Sequence, residues 1–348
     1  MRNLHLDNIH KILVRSTNWI GDAVMTTPAM GALRAAFPNA EVAVVANPLV
    51  AELFSPHPFS DRVIVFDKRG SHKGAGGFLR FCLGLRKERF DLAVLFQNAV
   101  EAAILSLLAG IPRRAGYRTD GRGLLLTHPV GVGKYEKSLH HTQYYAHMLG
   151  QLGIRGGDGL PRLNCTPEEI LRAREQLGGG GNWVAINPGA SYGSAKRWYP
   201  KRFAAVADHL VRELGFSAVL TGGPSETELG RDIEKAMRGR PLNLVGRTSV
   251  REMMAVLSLC HLAVTNDSGP MHVAAAFGVP TVALFGSTDH RATSPFSSRI
   301  RIVRNRVDCA PCLKRRCPTD HRCMDGISVE NVLEAVGSLL SIDVSRSN

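Results

Sequence analysis

Short apolar runs recur along the chain, each closed by glycine, proline or a polar residue and followed by an amphipathic stretch. In the first half these are KILVRS from Lys11, EVAVVA from Glu41, VIVF from Val63 and LAVLF from Leu92. In the second half they are WVAINPG from Trp183, SAVLTGGP from Ser217, LNLVG from Leu242, HLAVTNDSG from His261 and TVALFG from Thr281. Runs this uniformly apolar predict strands covered on both faces, and the helical patterns between them predict parallel sheets with crossover helices. The stretch GGDGLPRLNC near Gly156, the helix-forming TPEEILRAREQL and then GGGGN predict a domain boundary, giving domains at residues 1–160 and 161–348. The last helix is a candidate to pack back on the first domain.

Four of the strand ends carry chemistry. After the first strand comes RSTNWIGDAVMTTPAM, which puts Gly21 and Asp22 at the start of a helix. An Asp there either caps the helix or accepts a proton from an attacking hydroxyl. The segment lacks GxGxxG, the main support for a dinucleotide site. After Trp183–Asn187 comes PGASYGSAKRWYP, where Gly189, Ala190, Ser191, Gly193 and Ser194 permit close approach of phosphate oxygens and Lys196 brings a compact positive charge. A solvated Gly/Ser connector is the alternative. TGGPSE follows the next strand and places Glu226 either as a cap or on ribose hydroxyls. TNDSGPMHVAAAFG then sets Asp267, Ser268 and Gly269 at a helix start, with His272 one turn further on, either facing the same site or packed as an ordinary histidine.

Charge changes this picture by pointing to an anionic partner. The net charge is +13, and two segments hold all of it: residues 66–137 carry thirteen Lys and Arg against six acids, and residues 299–323 carry eight against two. Concentrated patches fit an anionic ligand or membrane surface better than a general need for solubility. Nucleic acid is not expected, because there is no reading motif and aromatic residues are only 6% of the chain. The first residues carry Arg2, Asp7 and two histidines without an export-signal pattern, and no later run is apolar enough to span a membrane, so a cytoplasmic protein with reduced thiols is expected.

Together, NWIGDAVMTTPAM, PGASYGSAKRWYP, TGGPSE and TNDSGPMHVAAAFGVPTVALFGSTD resemble the ADP-heptose:lipopolysaccharide heptosyltransferases of glycosyltransferase family 9, over a span from Lys11 to about Leu340. The order of segments and the CAPCLKRRCPTDHRCM tail are most similar to the members that add the second heptose. The resemblance implies an α/β fold of GT-B architecture, two doubly wound Rossmann-like domains facing each other across a cleft, acceptor on the first and ADP-heptose on the second. It implies inverting transfer of L-glycero-D-manno-heptose to the first heptose of the lipopolysaccharide inner core, in one displacement and without a required cofactor. Asp22 matches the family's base and Lys196 its phosphate-binding lysine. Ser191, Ser194, Glu226, Asp267, Ser268, Gly269 and His272 match the donor contacts. Charge and resemblance together point to Lys68, Arg69, Lys73 and Arg118, with His72, Arg113, Arg114 and Arg122 nearby, as contacts for the anionic acceptor, and to peripheral contact with the inner membrane face.

Cys309, Cys312, Cys317 and Cys323 have the spacing C-x2-C-x4-C-x5-C. Four thiolates suffice for one zinc, but two widely separated CxxC pairs are missing, so reduced structural thiols or an oxidisable pair, without a metal, are the expectation. The competing functions are a family member acting on another acceptor, Kdo or an outer-core sugar, and a nucleotide-sugar epimerase. Acceptor-dependent release of ADP separates transfer from epimerisation.

Overall fold

The computed structural model describes residues 8–346; Met1–Asp7, part of the stretch without an export-signal pattern, lie outside them. The chain divides into two compact units, Met1–Asn164 and Cys165–Asn348, so the boundary falls just after the glycine-rich stretch.

The first unit contains β1 (Lys11–Arg15), α1 (Ile20–Ala36), β2 (Glu41–Ala46), β3 (Arg62–Val65), α2 (Gly74–Lys87), β4 (Leu92–Leu95), α3 (Val100–Leu108), β5 (Arg113–Tyr117), β6 (His128–Val130) and α4 (His141–Gly150). All its strands pair in parallel, in the order β3-β2-β1-β4-β5-β6. Leu13, Ala43, Val45, Ala93 and Leu95 of the sheet pack with Phe81, Leu85, Ala102 and Leu105 of α2 and α3 to form one side of the core.

Helix α1 is buried through most of its length in spite of an internal proline, Pro28. A proline cannot donate to the carbonyl four residues back. Here the Thr27 hydroxyl donates to that carbonyl, on Val24, at 2.8 Å, and also accepts from Arg162 N at 3.0 Å.

The second unit contains α5 (Pro167–Gln176), β7 (Trp183–Asn187), α6 (Pro200–Leu214), β8 (Ser217–Leu220), α7 (Thr227–Ala236), β9 (Leu242–Asn243), α8 (Val250–Ser258), β10 (Leu262–Asn266), α9 (Gly269–Ala276), β11 (Thr281–Leu284), β12 (Ile300–Val303) and α10 (Val329–Arg346). Its sheet runs β12-β11-β10-β7-β8-β9, again parallel throughout. Counted from its own first strand, this is the same 3-2-1-4-5-6 winding as the first unit, the doubly wound order. Val332, Val336 and Leu339 of α10 enter the core of this unit, and the helix packs on β12, β11 and α6. Val332, Val336 and Leu339 therefore anchor this helix within its own unit. Among the described residues, no helix is long and apolar enough to cross a membrane.

The winding fixes where a ligand can bind. In each sheet the chain reverses direction between the first and fourth strands, and the helices leaving those strands diverge to opposite faces, which opens a crevice at the carboxyl ends. The switch points are β1/β4 in the first unit and β7/β10 in the second.

Candidate functional site

At the first switch point β1 runs into Ser16, Thr17 and the start of α1. The residue preceding α1 is Trp19, and the helix start has no side-chain cap. Asp22 lies in the first turn, with a third of its side chain exposed; its carboxylate is 3.8 Å from Nδ1 of His141, at the start of α4. The capping role left open by the sequence is therefore not the one Asp22 takes. Several buried polar atoms of this edge have no hydrogen-bond partner among the described residues: Arg15 Nε, Ser16 Oγ, Thr17 Oγ1, Gln97 Oε1, His141 Nδ1 and Thr142 Oγ1. Buried polar groups are normally bonded, so such a cluster sets the first switch point apart.

Behind this edge lies a rigid polar frame. Arg122, fully buried, donates to the carbonyls of Tyr117 (2.8 Å) and Gln97 and to Asn98 Oδ1 (3.0 Å). Asn98 in turn donates to Tyr144 Oη at 3.2 Å, and the Tyr117 and Tyr144 rings stack with centroids 4.1 Å apart. Burial pushes the Arg122 guanidinium down to about 10. Arg114 is likewise turned inward, onto the Ile111 and Leu125 carbonyls at 2.6 and 2.8 Å. His72 takes a bond from Asp67 N at 3.1 Å and packs on Phe66 and Phe81. Full burial and bonds from Nε, Nη1 and Nη2 to internal acceptors make Arg122 part of the scaffold and not an acceptor contact, whereas Arg114 and His72 are half-buried and bonded in part. Of the other basic candidates, Lys68 is paired with Glu101, whereas Arg69, Lys73 and Arg118 are exposed.

The second switch point is held together by its own side chains. Asn187, ending β7, donates to Thr221 O at 2.8 Å and accepts from Ser268 Oγ at 3.0 Å. Asn266, ending β10, donates to Pro188 O at 2.7 Å and accepts from Trp198 N at 3.1 Å, which fixes the start and end of the loop between β7 and α6. Within that loop Lys196 Nζ is 2.6 Å from Asp267 Oδ2, and the same oxygen accepts from Thr288. Asp267 is 4% exposed, and its carboxylate holds Lys196 in place.

Ser191 and Ser194 are exposed on the loop. Ser268 precedes α9 without capping it, because its hydroxyl is turned to Asn187. Pro270 has no N–H and Met271 N donates to Ser268 O at 3.2 Å, so the Gly269 amide is the first-turn donor this helix start offers an anion. His272 is buried within α9. Glu226 is also buried; its carboxylate accepts from Gly223 N at 2.8 Å and lies so close to Gly189 that a Cβ there would collide with it. Glu226 thus caps its own turn and touches the loop after β7.

The joints Asn187 and Asn266 escaped the sequence reading, as did His141 beside Asp22. A usable signal existed for the first two: each is a polar residue ending an apolar strand, in INP and TND. For His141 there was none, since its neighbour is remote in sequence.

The cysteines lie in one segment but differ in setting: Cys309 is exposed, Cys312 and Cys317 half-buried and Cys323 buried, all with free thiols. Hydrogen bonding to Thr319 holds the Cys317 thiol below its ordinary value, while burial pushes Cys323 up. Among the described residues no three His, Cys, Asp or Glu side chains are gathered as metal ligands.

Comparison with known proteins agrees with this arrangement. Residues 78–322 match the family model described as glycosyltransferase family 9 (heptosyltransferase). The chain is 30% identical over 346 residues to a lipooligosaccharide heptosyltransferase 2 of Campylobacter jejuni, covering 95% of this chain and 98% of that protein. It is 30% identical over 344 residues to lipopolysaccharide heptosyltransferase 2 of Salmonella typhimurium, covering 95% and 99%. Its structure superposes on E. coli ADP-heptose lps heptosyltransferase II with a TM-score of 0.82, at 28% identity, covering 96% of this chain and 99% of that one. A family 9 glycosyl transferase of Veillonella parvula gives a TM-score of 0.85 at 25% identity, covering 95% and 97%. The fold is that of GT-B heptosyltransferases, and the chain belongs to glycosyltransferase family 9, the heptosyltransferases.

Proposed function

We propose that this enzyme transfers L-glycero-D-manno-heptose from ADP-heptose to the first heptose of the lipopolysaccharide inner core, with inversion at the anomeric carbon. The near end-to-end similarity to proteins named heptosyltransferase 2 carries this reading. In the displacement, positive charge grows on the donor sugar and negative charge on the departing ADP. Asp22 takes the proton of the attacking heptose hydroxyl, which its uncapped and partly exposed carboxylate is free to do.

Lys196 steadies the leaving diphosphate. An ammonium has three donors, so the ion pair with Asp267 leaves two for phosphate oxygens. The α9 amides at Ser268 and Gly269 supply further donors to the same anion, and the exposed Ser191 and Ser194 hydroxyls lie on the Lys196 loop. Glu226 and His272 flank this site, and Glu226 turns to the ribose only by giving up its bond to Gly223 N. With these groups neutralising the diphosphate, no metal ion is required.

Arg69, Lys73 and Arg118 are the exposed cations that suit the acceptor's phosphates and carboxylates. The same surface charge favours a cytoplasmic enzyme that visits the anionic inner membrane face peripherally, an adsorption that salt should weaken.

The test is incubation with ADP-heptose and a set of truncated lipopolysaccharide acceptors, with products read by mass. One heptose should be added to an acceptor that already carries the first heptose, with ADP release dependent on acceptor and unaffected by a chelator. Addition to an acceptor ending in Kdo, or acceptor-independent turnover, would overturn the assignment.

A further inference from the structure

The cysteine-rich segment is built into the loop between β7 and α6. Leu313 N donates to Ser287 O at 2.7 Å, Tyr192 Oη donates to Leu313 O at 2.8 Å and Ala195 N donates to Arg315 O at 3.1 Å. His321 Nε2 lies 3.0 Å from Ala195 O. A Cβ on Gly193 would collide with the Arg315 backbone, so glycine there lets the segment lie flat against the loop.

These contacts fix the backbone at residue 315 and set its side chain over the Tyr192 ring, with the guanidinium carbon 5.3 Å from the ring centroid. Lys196 Nζ is 5.0 Å from the same centroid. Two cations therefore share one aromatic platform and lie no further apart than the sum of those distances. Among the described residues Lys196 has a carboxylate partner, Asp267, and Arg315 has none within ion-pair distance. An exposed arginine held beside the proposed phosphate lysine by an aromatic face is oriented for bidentate contact with an anion.

We propose that Arg315 is a second diphosphate-binding cation of the donor site, and that the cysteine-rich segment supplies it. This rests on reading the Lys196 loop as the diphosphate site. The guanidinium binds phosphate oxygens together with Lys196 and so shares the charge that ADP gains as it departs.

The experiment is calorimetric titration of the full chain with ADP and with adenosine, in wild type, Arg315→Ala, Arg315→Lys and Lys196→Ala, with thermal unfolding as a check on folding. Arg315→Ala leaves the Ala195 N to Arg315 O bond in place, because that bond uses the backbone. It should weaken ADP by roughly ten-fold or more, the loss expected for one charge-assisted contact, with adenosine affinity unchanged. Arg315→Lys, which keeps the charge but loses the fork, should fall between. Wild-type ADP affinity in Arg315→Ala beside a clear loss in Lys196→Ala would overturn the proposal and leave the loop reading intact. Wild-type affinity in both would sink the loop reading and this proposal with it. Equal loss of ADP and adenosine in Arg315→Ala would show a brace and not a phosphate ligand.

Discussion

At the switch point of the first sheet Arg15, Ser16, Thr17, Gln97, His141 and Thr142 each bury a polar atom without a hydrogen-bond partner among the described residues, and the Asp22 carboxylate lies 3.8 Å from His141 Nδ1. At the switch point of the second sheet Asn187, Asn266, Asp267 and Ser268 are bonded across to neighbouring loops and Glu226 to its own turn, against the loop after β7, with Arg197 Nε and Ser287 Oγ left over. The same winding thus supports two kinds of site. The first leaves buried polar atoms without hydrogen-bond partners among the described residues. The second is closed on itself, which holds Lys196 in place before any ligand arrives but makes every member of the network a contributor to stability. Substitutions should therefore cost rate in the first unit and stability in the second.

The largest effect is expected from Asp22→Asn. If Asp22 is the base, turnover should fall by about 10²- to 10⁴-fold at saturating acceptor, with ADP affinity and melting temperature unchanged. Asn serves a helix start about as well as Asp, so the substitution isolates the proton-accepting role. Near-normal turnover would place the base elsewhere and remove the functional half of the comparison.

Asp267→Asn should do the opposite. It leaves Lys196, 14% exposed, without its counter-charge inside a bonded network. Breaking a largely buried pair from one side costs about 3 kcal/mol, so the melting temperature should drop by several degrees in thermal unfolding. Lys196→Met in the same background should restore part of the loss, because the unpaired charge is then gone. A wild-type melting temperature for Asp267→Asn would show that the second site is not held by its internal pairs.

How much of this was legible depends on burial. The central strands β1, β2, β4, β7, β10 and β11 were plain because a parallel strand covered on both faces must be apolar at nearly every position. Strands β5, β6 and β12, with sequences RRAGY, HPV and IRIV, were not among the expected elements. They lie toward one edge of each sheet, where several positions are only half-buried and arginine, histidine or proline breaks up the apolar run. The strand-end motifs could be placed because their glycines, prolines and polar residues follow the runs directly. The fate of the arginines could not be read. Arg114 and Arg122 belong to a basic patch by sequence, yet carbonyls from Ile111, Leu125, Tyr117 and Gln97 take their donors. Only the folded backbone brings those acceptors together.

A smaller effect is expected from Gly189→Ala. The new Cβ would meet the Glu226 carboxylate and drive it from Gly223 N, at a cost of about 1–2 kcal/mol for a crowded, bonded position. In a Glu226→Ala background the same change should cost much less. Additive losses in such a double-mutant cycle would mean that the two residues do not couple and that the second site is less tightly closed than its bonds imply.

The smallest effect should come from an ion pair outside both switch points. Glu169, in the first turn of α5, accepts from Thr166 N at 2.7 Å and from Arg251 Nε at 2.7 Å. The Arg251 guanidinium, with the Thr166 amide, holds the Glu169 carboxyl below the ordinary value of 4.5 despite partial burial. A carboxyl with a lowered folded-state value stabilises the fold at pH above its unfolded value, and that stabilisation is lost as the pH falls through the folded value. Glu169→Gln should therefore unfold slightly more easily than wild type at pH 7, by no more than about 1 kcal/mol because the pair is partly solvated. The gap should close as the pH is lowered below the ordinary glutamate range and the wild-type carboxyl takes up its proton. Heptose transfer at pH 7 should be unaffected. A gap that persists unchanged in acid would show that the amide substitution acts through the Thr166 cap rather than through charge. A loss of transfer without loss of stability would show that rate is also controlled from a part of the second unit outside its switch point, and the division drawn between the two regions would fail.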